Sequence, residues 1–512
     1  MIFTFSLAII TIFIYITFAF TSPAFGGFFL RGLMFYKKIL VPVLMGSAFF
    51  LGACGDDAPI APNNSTPSSA IIYPTLSSSS AIIPVPTSST PVPASSAAPT
   101  PVGIYAPLAP TAARQYAMNH YAVWKSFHYV TEETEMATYP DLATEFDMVF
   151  PASFMPAARV IWSSQTGFYK NSCMDKNTTV PNMKTRGCTV SEGIGYGMLL
   201  AYFNGDEEAF LRLWNYTRGF RAYTGRRLMP WITKSFHWDV ADETSATDAD
   251  EDIATALILM SFKKLSAGDV ASANAYLADA LTFVNAIWEL EVNPSNLLIY
   301  SGDDDSWKKS NPVYNLSYFS PVALRLFALV DAAHDWTGVL NAMYAYMQKV
   351  QDAGTSVFPD WSNDAGMAAK PSNGSADLTY WQFNKESVRI PWRIAWDYYW
   401  YQDPRAAAIL TKLNTFISTK ASGNPDDMAL AVNYSWNLSV GKDYADNTVV
   451  PPQWYGAWCA TGIAGNATWL SACTAGLNAK LPSLTVQSYF ADILLSMYSA
   501  LLNGLFIRPA GV

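Results

Sequence analysis

An all-α fold is what this sequence predicts, and three observations predict it. Apolar residues recur with a period near 3.6 over 210–220, 253–265, 273–290, 320–333, 339–350, 406–417 and 490–502, the spacing of a buried helix face. No series of alternating apolar and polar residues marks a sheet, and no short-period repeat is present. From residue 113 onward the composition is even, so 113–512 reads as one large domain of about a dozen helices joined by aromatic-rich loops. A toroid of paired helices fits that count; an α-solenoid is the alternative.

Ahead of this domain stand segments of another kind. Residues 2–20 are an apolar run long enough to cross a bilayer. A second leader follows, with Met34, a basic stretch at Lys37 and Lys38, an apolar stretch over 39–50, and Leu51-Gly52-Ala53 before Cys54. This order resembles a bacterial lipoprotein signal. The resemblance implies a true start at Met34, lipidation of Cys54, membrane attachment through that lipid, and a place in the bacterial cell envelope. Two membrane spans, or a plain signal peptide with an incidental cysteine, are the alternatives. Residues 55–112 are rich in Ser, Pro, Thr and Ala and nearly free of charge. Such a stretch buries too little to fold and reads as a tether.

Charge separates the two parts. The leader and tether hold Arg31, Lys37, Lys38, Asp56 and Asp57, which leaves 29 basic and 39 acidic residues for the body. An acidic body argues against a nucleic-acid partner, which would call for a basic face. Four cysteines remain beside Cys54, in two close pairs. An exported compartment permits bridges, so Cys173–Cys188 and Cys459–Cys473 are the expected disulfides. A metal site is disfavoured, since no C-x-x-C occurs and the chain has four histidines.

Within the body, five stretches carry candidate chemistry. Ser191-Glu192-Gly193-Ile194-Gly195-Tyr196-Gly197-Met198 sets Ser191 as a helix N-cap and Glu192 in the first turn, where the dipole favours a negative charge. Three glycines inside a helix each cost roughly 1 kcal/mol against alanine, so something approaches that backbone closely, a helix or a ligand. Residues 245–257 place Asp248, Asp250, Glu251 and Asp252 at the start of a helix whose buried stripe is Ile253, Leu257 and Met260. Four acids in five positions exceed what a dipole needs. The calcium-loop reading fails for want of Gly at the sixth position and Glu at the twelfth. Trp231 follows a turn, and core packing competes there with sugar stacking. Trp307 and Asn315–Pro321 put loop aromatics before a helix. Residues 383–393 place Glu386 and Arg389 in the turn before Pro391, which suits a helix start; an exposed Glu–Arg pair is the bland alternative.

Taken together and in this order, 191–198, 247–254, 315–321 and 388–393 resemble glycoside hydrolase family 8, with similarity running over 113–508. The resemblance implies an (α/α)6 barrel, six inner helices ringed by six outer ones, with a cleft across the helix N-termini. It implies inverting, endo-acting hydrolysis of a β-1,4-linked polysaccharide. The motifs lean toward cellulose or mixed-linkage glucan, with a xylanase or chitosanase as the alternative. A surface lipoprotein that binds glycan without cutting it is a reading of a different class. Glu192 matches the general acid and Asp248 the aspartate that holds the sugar at the cleavage subsite, while Asp250 and Asp252 are structural. Glu386 stands where the cellulase-like branch has an aspartate as general base; in other branches it would be a neighbour of Arg389. Arg389 matches an arginine that orients the base and its water. Trp231, Trp307, Tyr318 and Tyr455 are candidates for contact with the glycan. No metal or organic cofactor is implied, and the expected state is monomeric.

Overall fold

The structure, a computed structural model, describes residues 110–138, 150–162, 188–236, 240–371, 379–445, 452–484, 488–509 and 511–512. Its helices alternate between two kinds. α1 (Pro110–His128) and the short α2 (Glu132–Thr138) lead into a series of pairs. These are α3 (Ser191–Asn204) with α4 (Glu207–Thr224), α5 (Thr247–Ser266) with α6 (Val270–Glu291), and α7 (Pro321–Val330) with α8 (Trp336–Asp352). Then come α9 (Ile390–Tyr401) with α10 (Pro404–Lys420), α11 (Pro452–Ala460) with α12 (Ala467–Leu484), and α13 (Tyr489–Leu502).

The first member of each pair is inner. α3 touches α5, α5 touches α7, and contacts continue through α9 and α11 to α13, which returns to α3. Six helices therefore close a ring. α4, α6, α8, α10 and α12 lie outside it, and α1 packs on α13 to complete six outer helices. This is the expected (α/α)6 barrel. The first described helix begins at Pro110, three residues before the domain start expected at 113.

Burial follows the two layers. Outer α8 buries one face, including Val339, Leu340, Met343, Tyr344 and Met347, at helical spacing. Inner α5 is buried on every side from Thr247 to Phe262. The stripe of Ile253, Leu257 and Met260 is thus part of a helix surrounded by protein, not one side of a surface helix. Such enclosure needs thin contacts. A methyl group added at Gly195 would stand 2.9 Å from Asp252 Cβ and 3.2 Å from the Ala249 carbonyl oxygen, so α3 and α5 meet backbone to backbone. One turn below the ring's mouth, Arg393 on α9 makes a bidentate pair with Asp252 on α5, at 2.8 and 2.9 Å, both side chains buried.

Short antiparallel ladders trim the barrel where the loops run. β1 (Val313–Tyr314) pairs with β2 (Ser362–Asn363), and β3 (Gln382–Phe383) with β4 (Val432–Ser435), which β5 (Tyr444–Ala445) extends. Cys459 and Cys473 form the expected disulfide between α11 and α12. Cys188 is also disulfide-bonded; Cys173, the partner expected for it, lies outside the described residues, as do Cys54, the leader and the tether up to residue 109. Among the described residues no helix is long and apolar enough to cross a membrane.

Candidate active site

The N-termini of the inner helices converge on one guanidinium. Arg389, the residue just before α9, is 4% exposed. Its Nη1 donates to Glu192 and, at 2.8 Å, to Asp248; its Nη2 donates to Glu386. Each carboxylate comes from a different place in the chain: Glu192 from the first turn of α3, Asp248 from the first turn of α5, and Glu386 from the turn before α9. The carboxylates differ in exposure, with side chains 12% exposed at Glu192, 2% at Asp248 and 26% at Glu386. The most open of the three is Glu386.

Three acids around one cation leave excess negative charge. Burial pushes the Asp248 carboxyl up to about 7; Arg389 opposes the rise and neighbouring Glu192 adds to it. Two tyrosines complete the enclosure. Tyr489, at the start of α13, donates from its hydroxyl to Glu192 Oε1 at 2.7 Å. Tyr318, half-buried, faces Arg389 with the guanidinium 5.2 Å from its ring centre. Burial and the nearby carboxylates hold both phenols well above their ordinary range, so both are hydrogen-bond donors at any working pH.

The predicted residues divide into those the fold brings together and those it does not. Glu192, Asp248, Glu386, Arg389 and Tyr318 meet. Trp307 is half-buried, its ring stacked on Trp361 at 5.5 Å with 4° between planes. Trp231 contributes through its backbone, its carbonyl accepting from Ser191 N at 2.9 Å beside Glu192. Tyr455 is elsewhere: its hydroxyl accepts from Lys480 at 3.1 Å and lies against Gly476 of α12, on the outer layer. The glycan-contact reading of Tyr455 is therefore withdrawn. Asp250 and Asp252 are structural as expected, Asp250 accepting from Met229 N at 3.2 Å.

Two local readings need correction. Val190, not Ser191, occupies the N-cap of α3, and the buried Ser191 hydroxyl has no partner among the described residues. The backbone groups before Glu192 are instead met by the Trp231 carbonyl. The glycines clear room for protein and not for a ligand. A methyl at Gly193 would stand 3.0 Å from the Tyr489 ring, and one at Gly197 would stand 3.0 Å from Leu213.

Sequence reasoning missed Tyr489, and Asn315, whose Nδ2 donates to Glu386 at 2.6 Å. Tyr489 had a signal, since it begins a periodic segment as the other site residues do. Asn315 was seen as part of a motif, but its partner lies 71 positions away. Among the described residues no group of His, Cys, Asp and Glu is arranged to hold a metal ion.

Known proteins resemble the chain in sequence and in fold. It is 32% identical over 241 residues to Endoglucanase C of Ruminiclostridium cellulolyticum, covering 47% of this chain and 49% of that protein. It is 32% identical over 263 residues to Endoglucanase A of Acetivibrio thermocellus, covering 50% of each. The matches span about half the length of these curated relatives. Among solved structures, the apo β-1,3-1,4-glucanase of Paenibacillus sp. X4 superposes with a TM-score of 0.60 at 22% identity, over 78% of this chain and 93% of that one. Residues 144–433, more than half of the sequence and the span that carries Glu192, Asp248, Glu386 and Arg389, match glycosyl hydrolases family 8, and the chain belongs to that family.

Proposed function

We propose that this protein is an endo-acting, inverting glycoside hydrolase that cleaves β-1,4-linked glucan, cellulose or mixed-linkage β-glucan. The observation that carries the reading is the convergence of Glu192, Asp248 and Glu386 on Arg389. Two hydrogen bonds and the width of a guanidinium put at most about 8 Å between the nearest oxygens of Glu192 and Glu386. That bound admits the about 6.5–9.5 Å of inverting hydrolases and the about 5–5.5 Å of retaining ones, so the choice of inversion rests on the family.

In this mechanism Glu192 is protonated and gives its proton to the glycosidic oxygen as the bond to the anomeric carbon breaks. A water attacks that carbon from the opposite face, and Glu386 takes the water's proton. Tyr489, donating to Oε1, and Arg389, donating to Oε2, fix the orientation of the Glu192 carboxyl. While Glu192 carries its proton, Arg389 keeps its hydrogen bonds to Asp248 and Glu386 and so holds all three groups in register. Asp248, buried beside both, binds the sugar at the point of cleavage. The half-buried Trp307–Trp361 stack offers a ring edge and face to further sugars. The endoglucanase names of the curated relatives favour glucan over xylan or chitosan.

The test is hydrolysis of carboxymethylcellulose, mixed-linkage glucan, xylan and chitosan by the wild type and Glu192→Gln. Cleavage of the glucans with release of the α-anomer, abolished in the variant, is expected. Failure to cleave any of the four sinks the enzymatic reading in favour of glycan binding alone, and first release of the β-anomer sinks inversion. We propose also that Cys54 is lipidated and tethers a monomeric domain, residues 113–512, to the cell envelope through residues 55–112. Cys54→Ala moves the protein from the membrane to the soluble fraction if so; unchanged membrane association rejects it.

A further inference from the structure

The turn that carries Glu386 is held by a buried carboxylate from another segment. Asp360 is 1% exposed, and its Oδ1 accepts three hydrogen bonds: from Asn384 N at 3.0 Å, from Ser387 N at 2.9 Å and from the Ser387 hydroxyl at 2.7 Å. Its own N–H donates to the Gln382 carbonyl at 2.9 Å. One side chain thus grips the chain on both sides of Glu386, while Glu386 itself projects to Arg389 and Asn315.

The same segment reaches Glu386 by a second route. Two residues beyond Asp360, Ser362 pairs in register with Tyr314, and the next residue, Asn315, donates to Glu386. Between them Trp361 lies stacked on Trp307. The stretch 360–363 therefore sets the backbone that bears Glu386, the amide that contacts it and one ring of the aromatic stack. A buried carboxyl that joins three donors beneath an irregular turn is a strong constraint, because its loss leaves those donors without their acceptor.

We infer that Asp360 is a positioning residue for Glu386, fixing the general base where the attacking water must sit. The inference rests on the reading of Glu386 as that base. It accounts for how a glutamate at 386, with more rotamers than an aspartate, is kept in one place: the turn is clamped beneath it and Asn315 and Arg389 bracket its tip.

The experiment is kinetic comparison of Asp360→Ala, Asp360→Asn and Glu386→Gln with the wild type on soluble glucan. Loss of the clamp in Asp360→Ala is expected to lower kcat by about 10- to 100-fold, as a misplacement near 1 Å does, with KM nearly unchanged. A general loss of fold would raise KM and lower kcat together, whereas misplacement of the base lowers kcat alone. Asp360→Asn retains an acceptor oxygen and is expected to recover most of the rate. Wild-type kcat in Asp360→Ala, while Glu386→Gln is inactive, overturns the inference and leaves the base assignment standing. Full activity in Glu386→Gln overturns the base assignment instead. If Asp360→Ala does not fold, Ser387→Ala removes one of the three bonds, and an unchanged kcat there overturns the inference equally.

Discussion

The two layers of the barrel begin their helices in opposite ways. Outer helices are capped by side chains: Asp206 accepts from Ala209 N on α4, Asp269 from Ser272 N on α6, Asp335 from Gly338 N on α8 and Asp403 from Arg405 N on α10. On α12, Asn466 does the same for Trp469 N. Inner helices α3, α5, α7, α9 and α13 have no side-chain cap at all. The acids of the two layers differ as sharply. Burial works against Asp403, yet hydrogen bonds from Arg405 and Arg325 hold it down to about 2, whereas burial carries Asp248 up to about 7.

Both aspartates stand at helix N-termini, and both face arginine. The dipole therefore does not distinguish them. What does is the surroundings: Asp403 has two arginines and solvent nearby, whereas Asp248 shares one arginine with two other carboxylates inside a closed ring. An acid at the outer end stabilises its helix. An acid at the inner end is held in a state that its helix would not choose alone.

The largest expected effect falls on the inner end. Glu192→Gln is predicted to cut kcat by about a thousandfold with an unchanged fold, since a general acid contributes 10²–10⁴; steady-state kinetics and circular dichroism check it. Next is the pair that holds two inner helices together without caps. Arg393→Met strands Asp252 in the core and is predicted to cost about 3 kcal/mol in denaturant unfolding. A change below 1 kcal/mol there would break the claim that buried pairing, not capping, organises the inner ring. Tyr489→Phe removes one bond to Glu192 and is predicted to lower kcat about tenfold, as loss of a hydrogen bond of roughly 1.4 kcal/mol does.

A smaller effect tests the contrast in pKa. Because Asp248 binds its proton more tightly folded than unfolded, its contribution to stability is present in acid and is lost as pH rises toward 7. Asp248→Asn is predicted to remove part of that decline, raising Tm near neutral pH by about 2–4 °C relative to wild type while matching it near pH 4. Equal Tm differences at both pH values would contradict it. Asp403 has the opposite sign, its stabilisation being lost as pH falls toward 2. The smallest effect lies at the outer end: Asp269→Ala removes the cap of α6 and is predicted to lower the denaturant midpoint slightly and leave kcat unchanged.

Legibility followed the same division. Outer helices such as α8 show a one-sided apolar face, which periodicity detects directly. Inner α5 shows a stripe within a helix buried all round, so the sequence revealed that it was a helix without revealing that it was enclosed. Glu192, Asp248, Glu386 and Arg389 were legible because each sits in a local motif at a helix start. Tyr455 was misjudged because an aromatic ring near a helix start has two sides to face, and local sequence does not say which one meets α12.

By itself, then, the sequence determined the helical class, the helix starts and the chemical identity of the residues placed there, because helix periodicity and acid or proline preferences act within a few residues. Only the tertiary structure decided that the glycines of α3 make way for α5, Tyr489 and Leu213, that Asn315 reaches Glu386, and that Asp360 clamps the turn beneath it. Those contacts join segments far apart in the chain, and they exist because closing the ring brings the inner helix N-termini to a single mouth.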